Sequence, residues 1–162
     1  MTLVFATENE GKVREASGIL GGLIDLMTPL EAGVEGSAVE DADTLEENSL
    51  KKAAYVYERC GMSCFADDTG LEVDILGGEP GVHTARYGGP QKDPAANIAR
   101  LLSEMARREQ EASAARGLGL ATPKATRKAR FRTSVTLIIG GEKHFFDGIM
   151  EGTIAREKAG KG

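Results

Sequence analysis

Apolar residues in this chain recur with two periods, and the change between them marks out its elements. Residues 2–7 form a continuous apolar run, as expected of a strand buried on both faces of a sheet. Val13, Ala16 and Leu20 follow at helical spacing, and Asn9 stands where it can cap the helix they define. Residues 23–27 predict a second strand, and the acidic, glycine-containing stretch 33–43 predicts a loop. Thr44 and Glu47 make a capping box that opens a helix to about residue 59, with Gly61 as its stop. Cys64, Phe65 and Ala66 read as the end of a third buried strand. Asp67-Asp68-Thr69-Gly70 is expected to break it into a loop, because Asp and Gly are depleted in strands.

The second half of the chain repeats the alternation and then changes it. Residues 76–81 are dense in Gly and Pro and predict a turn, and Gly88-Gly89-Pro90 breaks the chain again. Asp93-Pro94 starts a third helix, with Ile98, Leu101, Leu102 and Met105 on one stripe. Beyond Ala106 the pattern dissolves, and residues 112–128 are expected to be a flexible insertion. Residues 129–139 alternate and then turn apolar, Gly140-Gly141 is a two-residue turn signal, and residues 142–151 pair back as a hairpin. A helix–strand alternation followed by a late hairpin predicts an α/β fold with a mixed sheet rather than a purely parallel one.

Composition narrows the class. The 162 residues are enough for one domain with a proper core, and 41% hydrophobic with 28% charged residues is ordinary for a soluble globular chain. A net charge of -5 argues against a duplex nucleic-acid partner, although a few well-placed lysines and a metal can still hold a small anion. The longest apolar runs are too short to span a bilayer, and the chain enters its first strand with no signal-peptide pattern. Cys60 and Cys64 stand away from any His cluster and read as reduced structural thiols. A soluble cytoplasmic protein is the expectation.

Three stretches carry candidate chemistry. Asp67 and Asp68 at a strand end suit a divalent cation held by oxygen ligands, with one carboxylate kept as a base; an acidic surface turn also fits them. Thr7-Glu8-Asn9-Glu10-Gly11-Lys12 links a strand to a helix N-terminus. There, free N–H groups, the helix dipole and Lys12 form an anion cradle, though a simple capped βα turn fits too. It is not a Walker A loop, since Gly-Lys-Ser/Thr is missing. The loop 33–43 delivers Glu40 and Asp41, and Asn48 and Lys52, four apart, share a helix face. His83, with no second His near it in sequence, reads as a structural hydrogen-bonder. The basic run Lys124, Arg127, Lys128, Arg130 and Arg132 lacks interleaved aromatics and reads as a solvated face.

In their order, these stretches resemble the inosine triphosphate pyrophosphatase family. Segments 6–12, 39–53, 66–71, 76–87, 129–131 and 152–154 carry the likeness through nearly the whole chain. The resemblance implies an elongated mixed sheet with flanking helices and two lobes around a nucleotide cleft, as a homodimer. It implies Mg²⁺-dependent hydrolysis of non-standard purine nucleoside triphosphates (ITP, dITP, XTP) to the monophosphate and pyrophosphate. By the same resemblance, Thr7, Asn9 and Lys12 would contact the triphosphate, Lys52 would add a second cation, and Thr69 would touch substrate. Glu40 and Asp68 would hold the metal, and Asp68 would activate water. Asp67 would either orient its neighbour or touch the metal.

The family pattern also leads one to expect a Gly-Phe-Gly-Tyr-Asp-Pro segment and a later Ser-His-Arg segment. Neither is among the 162 residues, and the sequence reads as one domain lacking that C-terminal part. The competing reading is a catalytically weak nucleotide-binding or dimerisation module without the base clamp.

Overall fold

A computed structural model describes residues 1–119 and 126–156. The chain runs β1 (Thr2–Phe5), α1 (Glu10–Leu20), β2 (Asp25–Met27), α2 (Leu45–Cys60), β3 (Cys64–Val73) and β4 (Pro80–Gly81). It continues through α3 (Pro94–Gly117), β5 (Lys128–Ile139) and β6 (Glu142–Thr153), with 3-10 turns at Asp74–Leu76 and Thr84–Arg86. The strand order is β2-β1-β3-β5-β6, with β4 paired to β3. β1 is parallel to β2 and β3, and β4 is antiparallel to β3. The expected mixed α/β sheet is therefore present. Among the described residues, no helix is long and apolar enough to cross a membrane.

The chain divides into two compact units, one of residues 1–69 and 133–148, the other of residues 70–132 with the chain from Ile149 on. In the first unit, α2 lays Ala53 and Val56 against Val4, Cys64, Ala66 and Ile138. α2 takes this place because its ends are well defined. The Thr44 hydroxyl accepts from Glu47 N at 3.1 Å, and Gly61 closes the helix at φ 68°, its N–H donating to Tyr57 O. In the second unit, Leu71, Val73, Leu76, Tyr87, Leu101 and Met105 form a separate core. The hairpin β5–β6 turns at Gly140 and Gly141, with φ 56° and 84°, the left-handed pair that a two-residue turn requires.

Three expectations are corrected. First, β3 does not end before Asp67: residues 67–70 lie within a strand that continues to Val73. Strand propensity is overridden here by the buried residues on both sides of the break and by cross-strand bonding, since the Thr69 and Thr133 hydroxyls meet at 2.8 Å. Second, α3 continues to Gly117, so residues 112–117 of the expected insertion are helix. Arg107 bonds both Glu104 and Glu111 at helical spacing, and Arg127 binds Glu109 at 2.6 Å and Ile154 O at 2.8 Å, which holds the turns up to Glu111 without an apolar stripe. The alanine-rich turns beyond them keep helical form by propensity and close with Leu118 N donating to Ala114 O at 3.1 Å. Residues 120–125, including Lys124, lie outside the described residues. Third, the basic run is less a solvated face than a set of ion pairs, because Arg130 and Arg132 both bind Glu72, at 2.6 and 3.3 Å.

β6 differs from its neighbours. Every one of its residues is exposed, including Phe145, Phe146, Ile149 and Met150.

Cys64 is fully buried, its thiol donates to Ala53 O at 3.2 Å, and burial pushes its pKa up to about 12, with Cys60 adding to the rise. Both thiols are free. A thiolate-specific reagent at neutral pH should therefore modify one thiol, Cys60, in the folded protein and reach Cys64 only on unfolding. Peptide mapping of the labelled protein checks this, and equal labelling of both would contradict the packing of α2 on β3.

Candidate active site

Every site residue expected from the sequence lies in the first unit. The turn from β1 into α1 is built by its own side chains. Asn9 N donates to Thr7 Oγ1 at 3.1 Å, and Lys12 N donates to Asn9 Oδ1 at 3.3 Å. A Cβ on Gly11 would stand 3.1 Å from that Oδ1, so the small residue lets the cap close. Asn9 thus caps α1 as expected, and its side-chain oxygen is engaged with the backbone.

Lys12 reaches across to β3, where its Nζ lies 3.1 Å from Asp67 Oδ2 and 3.4 Å from Oδ1. Lys52, on α2, lies 2.9 Å from Glu40 Oε1, and its side chain is only 14% exposed. Asp41, the other acid of that loop, pairs with Lys51. Neighbouring strand residues leave on opposite faces, and the contacts follow that alternation: Asp67 goes with α1, and Asp68 with α2. The expected residues therefore gather in two groups that meet at the Asp67–Asp68 peptide. Thr7, Asn9, Lys12 and Asp67 make one; Glu40, Lys52 and Asp68 make the other. Thr69 sits one residue beyond and is bonded to Thr133.

Asp68 carries the perturbed group. Burial raises its pKa above the ordinary value of 3.8. The nearby Lys52 charge opposes the rise, Glu40 adds to it, an Asn48 hydrogen bond opposes it, and Asp67 adds to it. A carboxylate raised by burial yet still faced by a cation is a better base than a surface one.

Asn48 is the residue that sequence reasoning undervalued. Its position on the Lys52 face was visible, but no site role followed from it. It is 1% exposed, its Oδ1 accepts from Ala42 N at 3.0 Å, and its side chain lies close enough to Asp68 to favour the charged carboxylate. One buried amide thus borders both the loop that carries Glu40 and the strand that carries Asp68. Two hydroxyls of β5 also escaped notice. Thr136 and Ser49 bond at 2.7 Å, and Ser134 Oγ is buried without a partner among the described residues. The signal was the pair of polar residues in an otherwise apolar run. His83, expected to be structural, is exposed and lines a shallow pocket of about 220 Å³ in the second unit with Arg86, Tyr87 and Arg100.

A mixed sheet with adjacent carboxylates held in mid-strand between two lysine-bearing helices defines an α/β protein whose site is built from balanced, partly buried charge. The chain belongs to the Ham1 family, whose profile matches residues 3–162. It is 43% identical over 160 residues to a dITP/XTP pyrophosphatase of Porphyromonas gingivalis, covering 99% of this chain and 75% of that protein. A protein of the same name from Bacillus subtilis is 39% identical, with 98% and 74% covered. Among solved structures, a HAM1 protein from Coxiella burnetii superposes with a TM-score of 0.84 at 27% identity, over 100% of this chain and 77% of that one. A nucleoside-triphosphatase, dITP/XTP pyrophosphatase, from Mycobacterium abscessus gives 0.76 at 31%, over 99% and 78%.

The Asp68 shift fixes a sign for stability. Between 3.8 and the raised value the folded state binds more protons than the unfolded one, so stability falls as pH rises through that window. Asp68→Asn removes the ionisation and should melt higher than the wild type near pH 7, the gain shrinking as pH falls toward about 4. Calorimetric melts across that range check it; a variant that melts lower at neutral pH would mean that the Lys52 and Asn48 contacts outweigh burial.

Proposed function

We propose that this protein hydrolyses non-standard purine nucleoside triphosphates, the dITP and XTP class, to the monophosphate and pyrophosphate. The observation that carries the reading is the meeting of Asp68, Glu40, Lys52 and Asn48 around one strand, in a chain that matches the Ham1 family almost end to end. Relatives named dITP/XTP pyrophosphatase support the substrate class.

In this reading Lys12 and Lys52 bind phosphate oxygens, with Thr7, Asn9 and Thr69 as further substrate contacts. Lys12 stands at the N-terminal turn of α1, where the helix dipole favours an anion. Asp68 takes the proton of a water that adds at the α-phosphorus. The bridging P–O bond then breaks, pyrophosphate leaves with its new negative charge facing the lysines, and the proton passes to solvent.

Glu40 and Asp68 are the residues that would hold Mg²⁺. They fit it in donor type, being carboxylate oxygens already facing a cation, the Lys52 ammonium. Among the described residues no three acidic, His or Cys side chains converge to hold a metal alone, which suits an ion completed by substrate oxygens. Bound there, Mg²⁺ would supply charge neutralisation and phosphate orientation. We take the protein to act as one pyrophosphatase-like domain, as a homodimer in the cytoplasm.

Asp68→Asn should lower kcat at least about a hundredfold at saturating Mg²⁺, the scale of losing a positioned base. Hydrolysis of dITP should stop with chelator and return with Mg²⁺. Pyrophosphate release measures both, and wild-type turnover in Asp68→Asn would remove that residue from the chemistry. Lys12→Ala and Lys52→Ala should each weaken triphosphate binding by about 1.5–3 kcal/mol while leaving nucleoside binding unchanged. Equal losses for both ligands, seen by calorimetric titration, would indicate a folding defect.

A further inference from the structure

Both lysines assigned to phosphate are already paired with acids of the site. Lys12 holds Asp67 at 3.1 Å, and Lys52 holds Glu40 at 2.9 Å while also facing Asp68. Asp67 is 18% exposed but its partner Lys12 is 41%, whereas Lys52 and Glu40 are 14% and 31%, so the Lys52–Glu40 pair is the more enclosed of the two. Taken together, the two groups set three carboxylates against two ammonium groups, an excess of one negative charge.

Neither ligand can enter this cluster alone without opposition. A divalent cation approaching Glu40 meets the Lys52 ammonium in its place. A polyphosphate approaching Lys12 or Lys52 meets carboxylates that would lose their cations and be left facing an anion. When both arrive together, each new charge replaces one that departs: the metal takes the carboxylates, and the phosphates take the lysines.

Resting on the pyrophosphatase reading above, we infer that Lys12 and Lys52 are resident counter-ions, and that metal and polyphosphate enter by a paired exchange of ionic partners. The site then resists free metal and free nucleotide and accepts the metal–triphosphate complex. The coupling is reciprocal by linkage: each ligand tightens the other by the same factor.

Lys52 makes the inference testable, because its removal acts with opposite signs on the two ligands. Lys52→Met removes a positive charge that repels the metal, so Mn²⁺ alone should bind about tenfold tighter than to the wild type. The same variant should bind an inosine triphosphate with an uncleavable α,β-imido bridge less tightly. Lys52→Arg keeps the charge and the reach to Glu40, and should hold Mn²⁺ at the wild-type affinity.

The experiment titrates the 162-residue protein with Mn²⁺ alone by electron paramagnetic resonance, then with the imido analogue with and without Mn²⁺. In the wild type, saturating analogue should tighten Mn²⁺ at least about tenfold, and Lys52→Met should reduce that factor. If Lys52→Met weakens or leaves unchanged the binding of Mn²⁺ alone, the exchange is overturned, as it is if Lys52→Arg tightens Mn²⁺ as much as Lys52→Met does. Independent binding of the two ligands to the wild type overturns it too. The metal-alone arm contains no nucleotide, so failure to hydrolyse dITP would count against the pyrophosphatase reading without changing the sign measured there.

Discussion

Two adjacent carboxylates in the middle of a strand oblige the fold to bring a cation to each face of that strand. Asp67 and Asp68 cannot both turn to solvent, because alternation sends one toward α1 and the other toward α2. Lys12 answers the first, and Lys52, shared with Glu40, stands near the second. The placement of the two helices, each capped so that its lysine falls in its first two or three turns, follows from that requirement. A strand of ordinary apolar residues at these positions would need neither lysine.

The arrangement holds Asp68 in a compromise. Burial opposes its charge, while Lys52 and Asn48 support it. Structural neatness alone would favour a neutral residue there, and such strain tends to persist where a reactive group is needed. Asn48 keeps the compromise in register. Its amide bonds the Glu40 loop at Ala42 and faces Asp68 on the strand, so one buried side chain borders two acids far apart in sequence.

Most of the fold was legible because its local signals agreed with its tertiary structure. Asn9, Thr44 and Gly61 marked helix ends through their own backbone hydrogen bonds and dihedral preferences, and Gly140-Gly141 named its turn. The misreadings came where long-range contacts outweigh local preference. Asp67-Asp68-Thr69-Gly70 looked like a break because Asp and Gly disfavour a strand in isolation, whereas the deciding bonds come from Lys12 and Thr133, 55 and 64 positions away. The later turns of α3 lacked an apolar stripe; ion pairs hold them as far as Glu111 and alanine propensity carries the helix on to Gly117, neither of which hydrophobic spacing registers. In the site, single residues with a formal charge were easy to nominate. The pairing of each lysine with an acid, and the buried amide between them, depended on which face of β3 each side chain took.

The exposed strand β6 has a bearing on how this chain behaves in a crowded or concentrated solution. A sheet edge presents backbone donors and acceptors to any extended segment that drifts against it, and here Phe145, Phe146, Ile149 and Met150 lie open on both faces of that edge. Such a strand is a template for unwanted stacking. Lys143, Asp147 and Glu151, spaced along it, put charge beside each apolar pair, the pattern by which natural edges oppose such stacking. A change that neutralised those three side chains would leave the apolar pairs of this strand with less charge beside them, far in sequence from every candidate site residue.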